Sequence, residues 1–256
     1  MLKRIGFLLF AAMSLVALSP PVRAGGRAPS VDFAATTVTV PAVTNLPGLN
    51  GAFFRTRVVL LNPTSTAFSV QATFYETNGA PHTATVNLGA GELKVFQNVL
   101  DDLFGMQSVG TLVLDSRGIA GGSLNNLYVV NTEVYTTGPG GRFGTTVPSV
   151  PFSGSGAPAF SPGIFVDSGQ RTNVACYNDS SETNSIQADV LDGSNHLLQT
   201  LGLLIAPHGR EQQPVTELVN GGYVRFRPSL AAVCLAVVVN NSSNDGHLVL
   251  ASEYLP

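Results

Sequence analysis

The chain has no tryptophan, only two cysteines and few charges: Asp, Glu, Lys and Arg make up 11% of its 256 residues. Without Trp it lacks both the favoured stacking platform for sugar rings and the usual central packing residue of an immunoglobulin core. So little charge excludes a self-repelling disordered chain, and a 44% hydrophobic content supplies the apolar surface for a packed core. No basic cluster is present, so nothing points to nucleic acid or to an anionic membrane surface. The 27 Gly and 16 Pro are too few for a collagen-like or low-complexity chain and suit a turn-rich one. Metal-ligand pairs are missing too, because His82, His196, His208 and His247 are scattered, with no His-x-x-x-His or His-Glu pair on a helix. The expectation is that no metal and no cofactor is bound.

The long apolar run opens the chain. Basic Lys3 and Arg4 precede Ile5 to Leu18, and Val22 and Ala24 supply the small or β-branched residues of a signal-peptide cleavage site after Ala24. The run falls short of the ~20 residues that span a bilayer. Removing residues 1–24 takes Lys3, Arg4 and Arg23 with it and leaves ten basic against 16 acidic residues. Position 25 is Gly rather than a lipid-bearing Cys, and the end, Ser252-Glu-Tyr-Leu-Pro256, carries no hydrophobic tail. The mature chain is therefore expected to be secreted or periplasmic, with no membrane span and a flexible segment at 25–36. In an exported chain an even cysteine count predicts a Cys176–Cys234 disulfide. Each Cys lies in an apolar run and outside any Cys-x-x-Cys motif, which favours a structural bridge over a reactive thiol.

An internal repeat follows. Arg55-Thr56-Arg57-Val58 with Asn62 recurs as Arg171-Thr172-Asn173-Val174 with Asn178, an offset of 116. Downstream, Phe68, Val70, Ala72 and Phe74 alternate with Ser69, Gln71, Thr73 and Tyr75, and Ile186, Ala188 and Val190 with Gln187, Asp189 and Leu191, so each copy predicts a strand with one buried face. Asn78-Gly79 and Asp192-Gly193 supply residues that tolerate the positive φ of a tight hairpin. Gly110 to Leu114 matches Gly222 to Phe226 as a further strand pair. Before it, Asn98 to Gly105 and Pro214 to Gly221 each predict one short helical turn. Each copy thus reads as short strands with turn signals every ~8 to 12 residues, the pattern of an immunoglobulin-like sandwich. Cys176 and Cys234, on an early and a late strand, would bridge the two sheets, and Leu60 would fill the site of Cys176 in the first copy. With no Trp, Phe and Ile are expected to do the packing.

The expected organisation is all-β: two tandem immunoglobulin-like β-sandwiches, 37–150 and 164–256, joined by a Gly/Ser/Pro-rich linker at 151–163. Thr146-Val-Pro-Ser-Val150 resembles Thr39-Val-Pro-Ala-Val43 and either closes the first sandwich or opens the second. Phe54-Arg-Thr-Arg-Val58, Asn62-Pro63, Gly91-Glu92, Val99-Leu100, Leu103-Phe104-Gly105 and Gly110 together resemble a motif of uncharacterised exported bacterial proteins with tandem immunoglobulin-like repeats. The resemblance spans roughly residues 37 to 256 and implies architecture, not chemistry. Copy two departs from it, with Asp179 in place of Pro63 and His208-Gly209-Arg210 in place of Gly91-Glu92. Periplasmic pilus chaperones are similar in general strand pattern alone.

No catalytic constellation stands out. Gly154-Ser155-Gly156 lacks the Gly-x-Ser-x-Gly spacing and the strand-to-helix context of a nucleophile elbow, and reads as spacer. Gly138 to Gly144 lacks the Lys and following helix of a phosphate loop, and reads as linker. Asp101 and Asp102 diverge on one helical turn rather than face each other across a cleft. Asp192, Ser194 and Asn195 match no EF-hand spacing. Arg55 and Arg171 recur at one spot in both copies; an arginine fork there can take a carboxylate or sugar hydroxyls, or serve as a structural ion pair. The expectation is a non-enzymatic exported structural or adhesive module of the bacterial envelope or extracellular space. Its partner would be a protein or glycan there, or a further copy through edge strands. The alternatives are a carbohydrate- or protein-binding secreted module and a periplasmic chaperone-like protein.

Overall fold

Alternating burial turns the paired segments into two-faced strands. β3 (Phe68–Glu76) buries Phe68, Val70, Ala72 and Phe74, and its repeat counterpart, Asn184–Leu191, buries Ile186, Ala188 and Val190. The computed structural model describes residues 34–48, 51–117, 125–138, 141–150 and 155–253. The leader expected at 1–24 and residues 25–33 of the segment expected at 25–36 lie outside the described residues.

The first half comprises β1 (Thr37–Pro47), β2 (Phe53–Leu61), β3, β4 (Pro81–Leu88), β5 (Leu93–Phe96), α1 (Val99–Phe104), β6 (Val109–Asp115), β7 (Val129–Gly138) and β8 (Gly141–Thr146). The second comprises β9 (Ala159–Val166), β10 (Gln170–Asn178), β11 (Asn184–Leu191), β12 (Leu197–Ile205), β13 (Arg210–Pro214), β14 (Val219–Pro228), β15 (Ala232–Asn240), β16 (Gly246–Leu250) and β17 (Ser252–Glu253). All pairings are antiparallel. The first half layers β4-β3-β6-β1 over β5-β2-β7-β8, and the second repeats that order as β12-β11-β14-β9 over β13-β10-β15-β16. β1 belongs to both sheets of its half: a register shift between Val40 and Val43 follows its run along β6, and Asn45 to Pro47 then pair with β2. The repeat read from the sequence is thus a strand-for-strand repeat. Residues 32–256 form one compact unit, and β9 reaches into the stretch read as linker.

Each half has its own core between its sheets. Phe74, Leu60, Leu88, Leu112 and Leu114 fill the first; Ile164, Ile186, Leu203 and Phe226 fill the second. Burying each such side chain contributes ~1.5–3 kcal/mol. Phe and Ile were expected to replace Trp, yet the largest fully buried side chains are Tyr128 and Tyr177. Tyr128 is tolerated because its hydroxyl donates to Leu114 O at 2.7 Å.

The repeated asparagines explain themselves. Both are fully buried. Asn62 Nδ2 donates to Thr66 O and Gly89 O, each at 2.8 Å, while its Oδ1 accepts from Thr64 N at 2.9 Å. Asn178 does the same, to Glu182 O at 2.7 Å and Ala206 O at 2.9 Å, with Ser180 N donating at 3.0 Å. One side chain therefore pins two loops in each half.

Four expectations are corrected. The disulfide does form, but Cys176 and Cys234 are cross-strand neighbours on β10 and β15 of one sheet, with Cα atoms 4.1 Å apart, not a bridge between sheets. Cys234 O accepts from Ala251 N on the far side of β15, so the cysteines occupy a non-hydrogen-bonded pair, where side chains approach closest. Leu60 does fill the equivalent site, opposite Val130. The second copy has no helical turn: Pro214 ends β13 and Val219 begins β14, leaving too few residues for the helix that α1 makes between β5 and β6. In the β11–β12 hairpin the positive φ expected at Asp192-Gly193 falls instead on Asn195 (φ 68), the counterpart of Gly79 (φ 87) at the same offset of 116. Finally, Gly138 to Gly144 is not linker but the β7–β8 hairpin, in which Gly138 pairs with Gly141.

Candidate functional site

The two halves meet through the outer faces of two sheets. From β3 and β6 come Tyr75 and Val113; from β10 and β15 come Tyr177 and Val233; Val150 and Leu250 complete this small second-tier core. The Tyr75 ring lies 6.3 Å from that of Tyr177 and stacks on His208 at 4.9 Å. Burial and the nearby Asp179 carboxylate push both phenols above their ordinary pKa, so each stays a neutral hydroxyl. The β3–β4 turn seats against the turn between β12 and β13. There a Cβ on Gly79 would stand 2.1 Å from Pro207 O, so that position admits only glycine. Opposite it, His208 holds the left-handed conformation (φ 55) that Gly91 holds (φ 65) in the first half. The departure of His208-Gly209-Arg210 from the repeat is thus the chemistry of the contact between halves: His208 stacks on Tyr75, and Gly209 leaves room for Thr77 O.

Arg210 is the most unusual group in this contact. It is 7% exposed; its Nε donates to Pro41 O at 3.2 Å and its Nη2 to Gln212 Oε1 at 2.9 Å. Among the described residues it makes no ion pair, and burial pushes its pKa down to about 10. It faces a groove between the halves of about 280 Å³, lined also by Arg171, Gln212, Val237, Phe54 and Val109. Such a groove, with largely apolar walls and a buried cation that makes no ion pair, is matched in charge by a carboxylate or phosphate.

The two arginines singled out from the sequence are not brought together. Arg171 lines the groove but is tied to the β15–β16 turn, donating to Asn241 Oδ1 at 2.9 Å and Asn244 Oδ1 at 3.2 Å. Arg55 lies 4.7 Å over the Phe53 ring. Ser155 is held by Glu253 rather than by a histidine, His82 and His196 pair with Glu76 and Asp192, and no three His, Cys, Asp or Glu side chains converge among the described residues. Sequence reasoning missed Arg210, Tyr75 and Asp189. For Arg210 the signal was present, since the repeat breaks there.

Asp189 anchors a polar cluster on the outer face of β12-β11-β14-β9. Its side chain is 1% exposed beneath Arg225 at 2.8 Å and Arg227 at 2.6 Å. Burial alone would raise its pKa, but hydrogen bonds from Arg225, Gln187 and Thr200 and the charge of Arg227 outweigh it and hold the carboxyl below its usual range. Among the described residues, exposed large apolar side chains are Leu93 and Val95 of β5, at 57% and 38%, Leu197, Leu198 and Leu204 of β12, at 58%, 36% and 72%, and, outside the strands, Leu127 at 38% and Leu218 at 77%. On open sheet faces the described tyrosines are Tyr135, buried beneath Arg142, and half-buried Tyr223, its ring 6.3 Å from Phe160.

No family model and no curated protein matches the chain. Among solved structures it is similar to a GH2 β-galacturonidase from Eisenbergiella tayi, with 12% identity over 79% of this chain and 35% of that one, and a TM-score of 0.21. It is also similar to a Bacteroides uniformis β-glucuronidase, with 15% identity over 79% of this chain and 26% of that one, and a TM-score of 0.19. The chain spans about a third or less of those enzymes' length. It is a β-sandwich module with one internal disulfide, and no helix among the described residues is long and apolar enough to cross a membrane.

Proposed function

We propose that the chain is a non-enzymatic structural or adhesive module, exported to the bacterial envelope or the extracellular space. The observation that carries this reading is where its apolar surface lies. Among the described residues no aromatic ring is fully exposed, while leucines and Val95 stand exposed on β5 and along the nine-residue edge strand β12. Surfaces of this kind join sheets to other sheets. A ligand-binding platform would instead gather exposed aromatic rings. The buried disulfide supports an oxidising compartment, and residues 1–24 support export. The test is to fractionate native cells and pass the envelope and extracellular fractions through a sizing column without denaturant, following the chain by mass spectrometry. Elution in a large envelope or extracellular assembly is expected. Recovery as a ~25 kDa monomer, or in the cytoplasm, overturns the reading.

The groove beside Arg210 favours a second reading, a secreted module that binds a small anion. Isothermal titration with galacturonate and inorganic phosphate tests it: binding that disappears in Arg210→Met supports it, and no heat with either ligand ends it.

A further inference from the structure

We infer that the chain associates head to tail with further copies of itself, the outer face of β5-β2-β7-β8 in one copy receiving the outer face of β12-β11-β14-β9 in the next. This rests on the structural reading above and names its partner.

The chain already contains one example of the contact. Inside it, the outer face of β4-β3-β6-β1 covers the outer face of β13-β10-β15-β16. Because the halves repeat strand for strand, the two faces left over are the counterparts of the two already joined. The contact uses different faces on its two sides, so repeating it cannot close within one chain and extends outward instead.

The residues on the free faces fit this part. In the covered face of the second half, Ala175, Tyr177, Val233 and Leu235 are at most 5% exposed. Strand register makes Val59, Leu61, Val129 and Asn131 their counterparts. These lie beside Leu93 and Val95, in two cross-strand rows: Leu93-Leu61-Val129 and Val95-Val59-Asn131. This apolar surface faces solvent, whereas its counterpart is buried. On the other side, the contact inside the chain uses Tyr75, Thr111, Val113 and Pro41; their counterparts are Leu191, itself only 3% exposed, Tyr223, Arg225 and Pro162, with Phe160 alongside. The outer face of the second half thus offers Tyr223, Phe160 and Pro162 beside the Asp189–Arg225–Arg227 cluster, a more polar surface than the one the first half already docks.

Two further features separate face docking from edge pairing. β13 covers two edge groups of β12: Leu204 N donates to Glu211 Oε2 at 3.0 Å, and Gln213 Nε2 donates to Gly202 O at 2.9 Å. Capped edge groups resist strand addition, and among the described residues no side chain hydrogen-bonds to the backbone of Leu93 or Val95. In the Gly79 slot the second half carries Asn195, whose side chain prevents the close approach that Gly79 allows. The contact between copies is therefore looser than the one within the chain, and association depends on concentration.

The test is sedimentation velocity of the purified chain, expressed with residues 1–24 in place, over a wide concentration range. One variant blocks the receiving face, Leu93→Asp with Val95→Asp; a second blocks the docking face, Tyr223→Asp, with Pro162→Glu at an exposed position of that face as a substitute if Tyr223→Asp fails to fold. The unmodified chain is expected to grow past dimer as concentration rises. Each variant alone stays monomeric, and an equimolar mixture of the two gives a dimer with one of each and nothing larger, because each supplies the face the other lacks. Three results overturn the inference. A chain monomeric at every concentration does so. A dimer abolished by the β5 substitutions but untouched at Tyr223 and Pro162 shows a face pairing with itself. Association abolished by Leu198→Lys with Leu204→Lys, but by neither face variant, assigns assembly to the β12 edge. In that last case, or if a self-monomeric chain still fractionates in a large envelope assembly, the structural reading survives and the head-to-tail partner does not.

Discussion

Replacing either repeated asparagine by alanine should destabilise the whole unit by a similar amount. In Asn178→Ala, Glu182 O and Ala206 O lose a donor and Ser180 N loses its acceptor. In Asn62→Ala, Thr66 O and Gly89 O likewise lose a donor and Thr64 N loses its acceptor. A buried polar group left unpaired costs ~1–3 kcal/mol, and these loops border solvent, so the lower end applies to each group and the sum is about 3 kcal/mol. For a unit of this size that lowers the melting temperature by roughly 6–12 °C. Differential scanning calorimetry with the disulfide intact reads it directly. Because Tyr75, Val113, Tyr177 and Val233 share one small core across the halves, both variants should shift one common transition. A loss below about 1 kcal/mol at either site, or two transitions of which each variant moves only one, would refute the reasoning.

Two other outcomes follow from the same geometry. Leu60 and Val130 hold the non-hydrogen-bonded cross-strand site that Cys176 and Cys234 hold in the second half, so Leu60→Cys with Val130→Cys should form a second disulfide during oxidative export and stabilise the chain by about 4 kcal/mol; two free thiols by mass spectrometry after alkylation would show that the repeat is not close enough. Asp189→Asn should cost about 1–2 kcal/mol at neutral pH, less than the loss of a fully buried pair because Arg225 and Arg227 are 35% and 45% exposed. Since the Asp189 pKa is lowered in the folded state, its contribution is present above about pH 4 and lost as pH falls through the folded value. Denaturant midpoints of the two proteins should therefore converge on acidification, and a gap that stays constant down to about pH 2 would contradict it.

Much of this fold was legible because repetition makes residues speak twice. The offset of 116 between Arg55 and Arg171, and between Asn62 and Asn178, located two equivalent strands and the loops pinned at their ends. Period-two alternation in β3 and β11 gave their buried faces. The disulfide partners followed from cysteine count, but their geometry did not, because a position along the chain does not say which sheet a strand joins. Pro214 and Gly221 look like helix punctuation, yet β13 extends through Pro214 and leaves no length for a helix. The site was least legible. Tyr75 reads as an ordinary strand residue, and Arg210 announces itself only as a break in the repeat; what gives each its role is the other half of the molecule. Asp189 was hidden by its neighbours, since Arg225 and Arg227 lie across a strand pairing that the sequence does not number.

The position of the disulfide also decides how the chain responds to mechanical load. Force on the C-terminus first strips β17 from β9 and then β16 from β15, short pairings that open one rung at a time. The next strand is β15, and there Cys234 is covalently fastened to Cys176 on β10. Unravelling halts at that bond after releasing residues 235–256, roughly 75 Å of extended chain, and the load passes to Cys176 on β10. The first half has no such stop, because Leu60 and Val130 only touch where the cysteines are joined. A chain held between an anchor and a pull would therefore yield by a fixed length at one end and hold there.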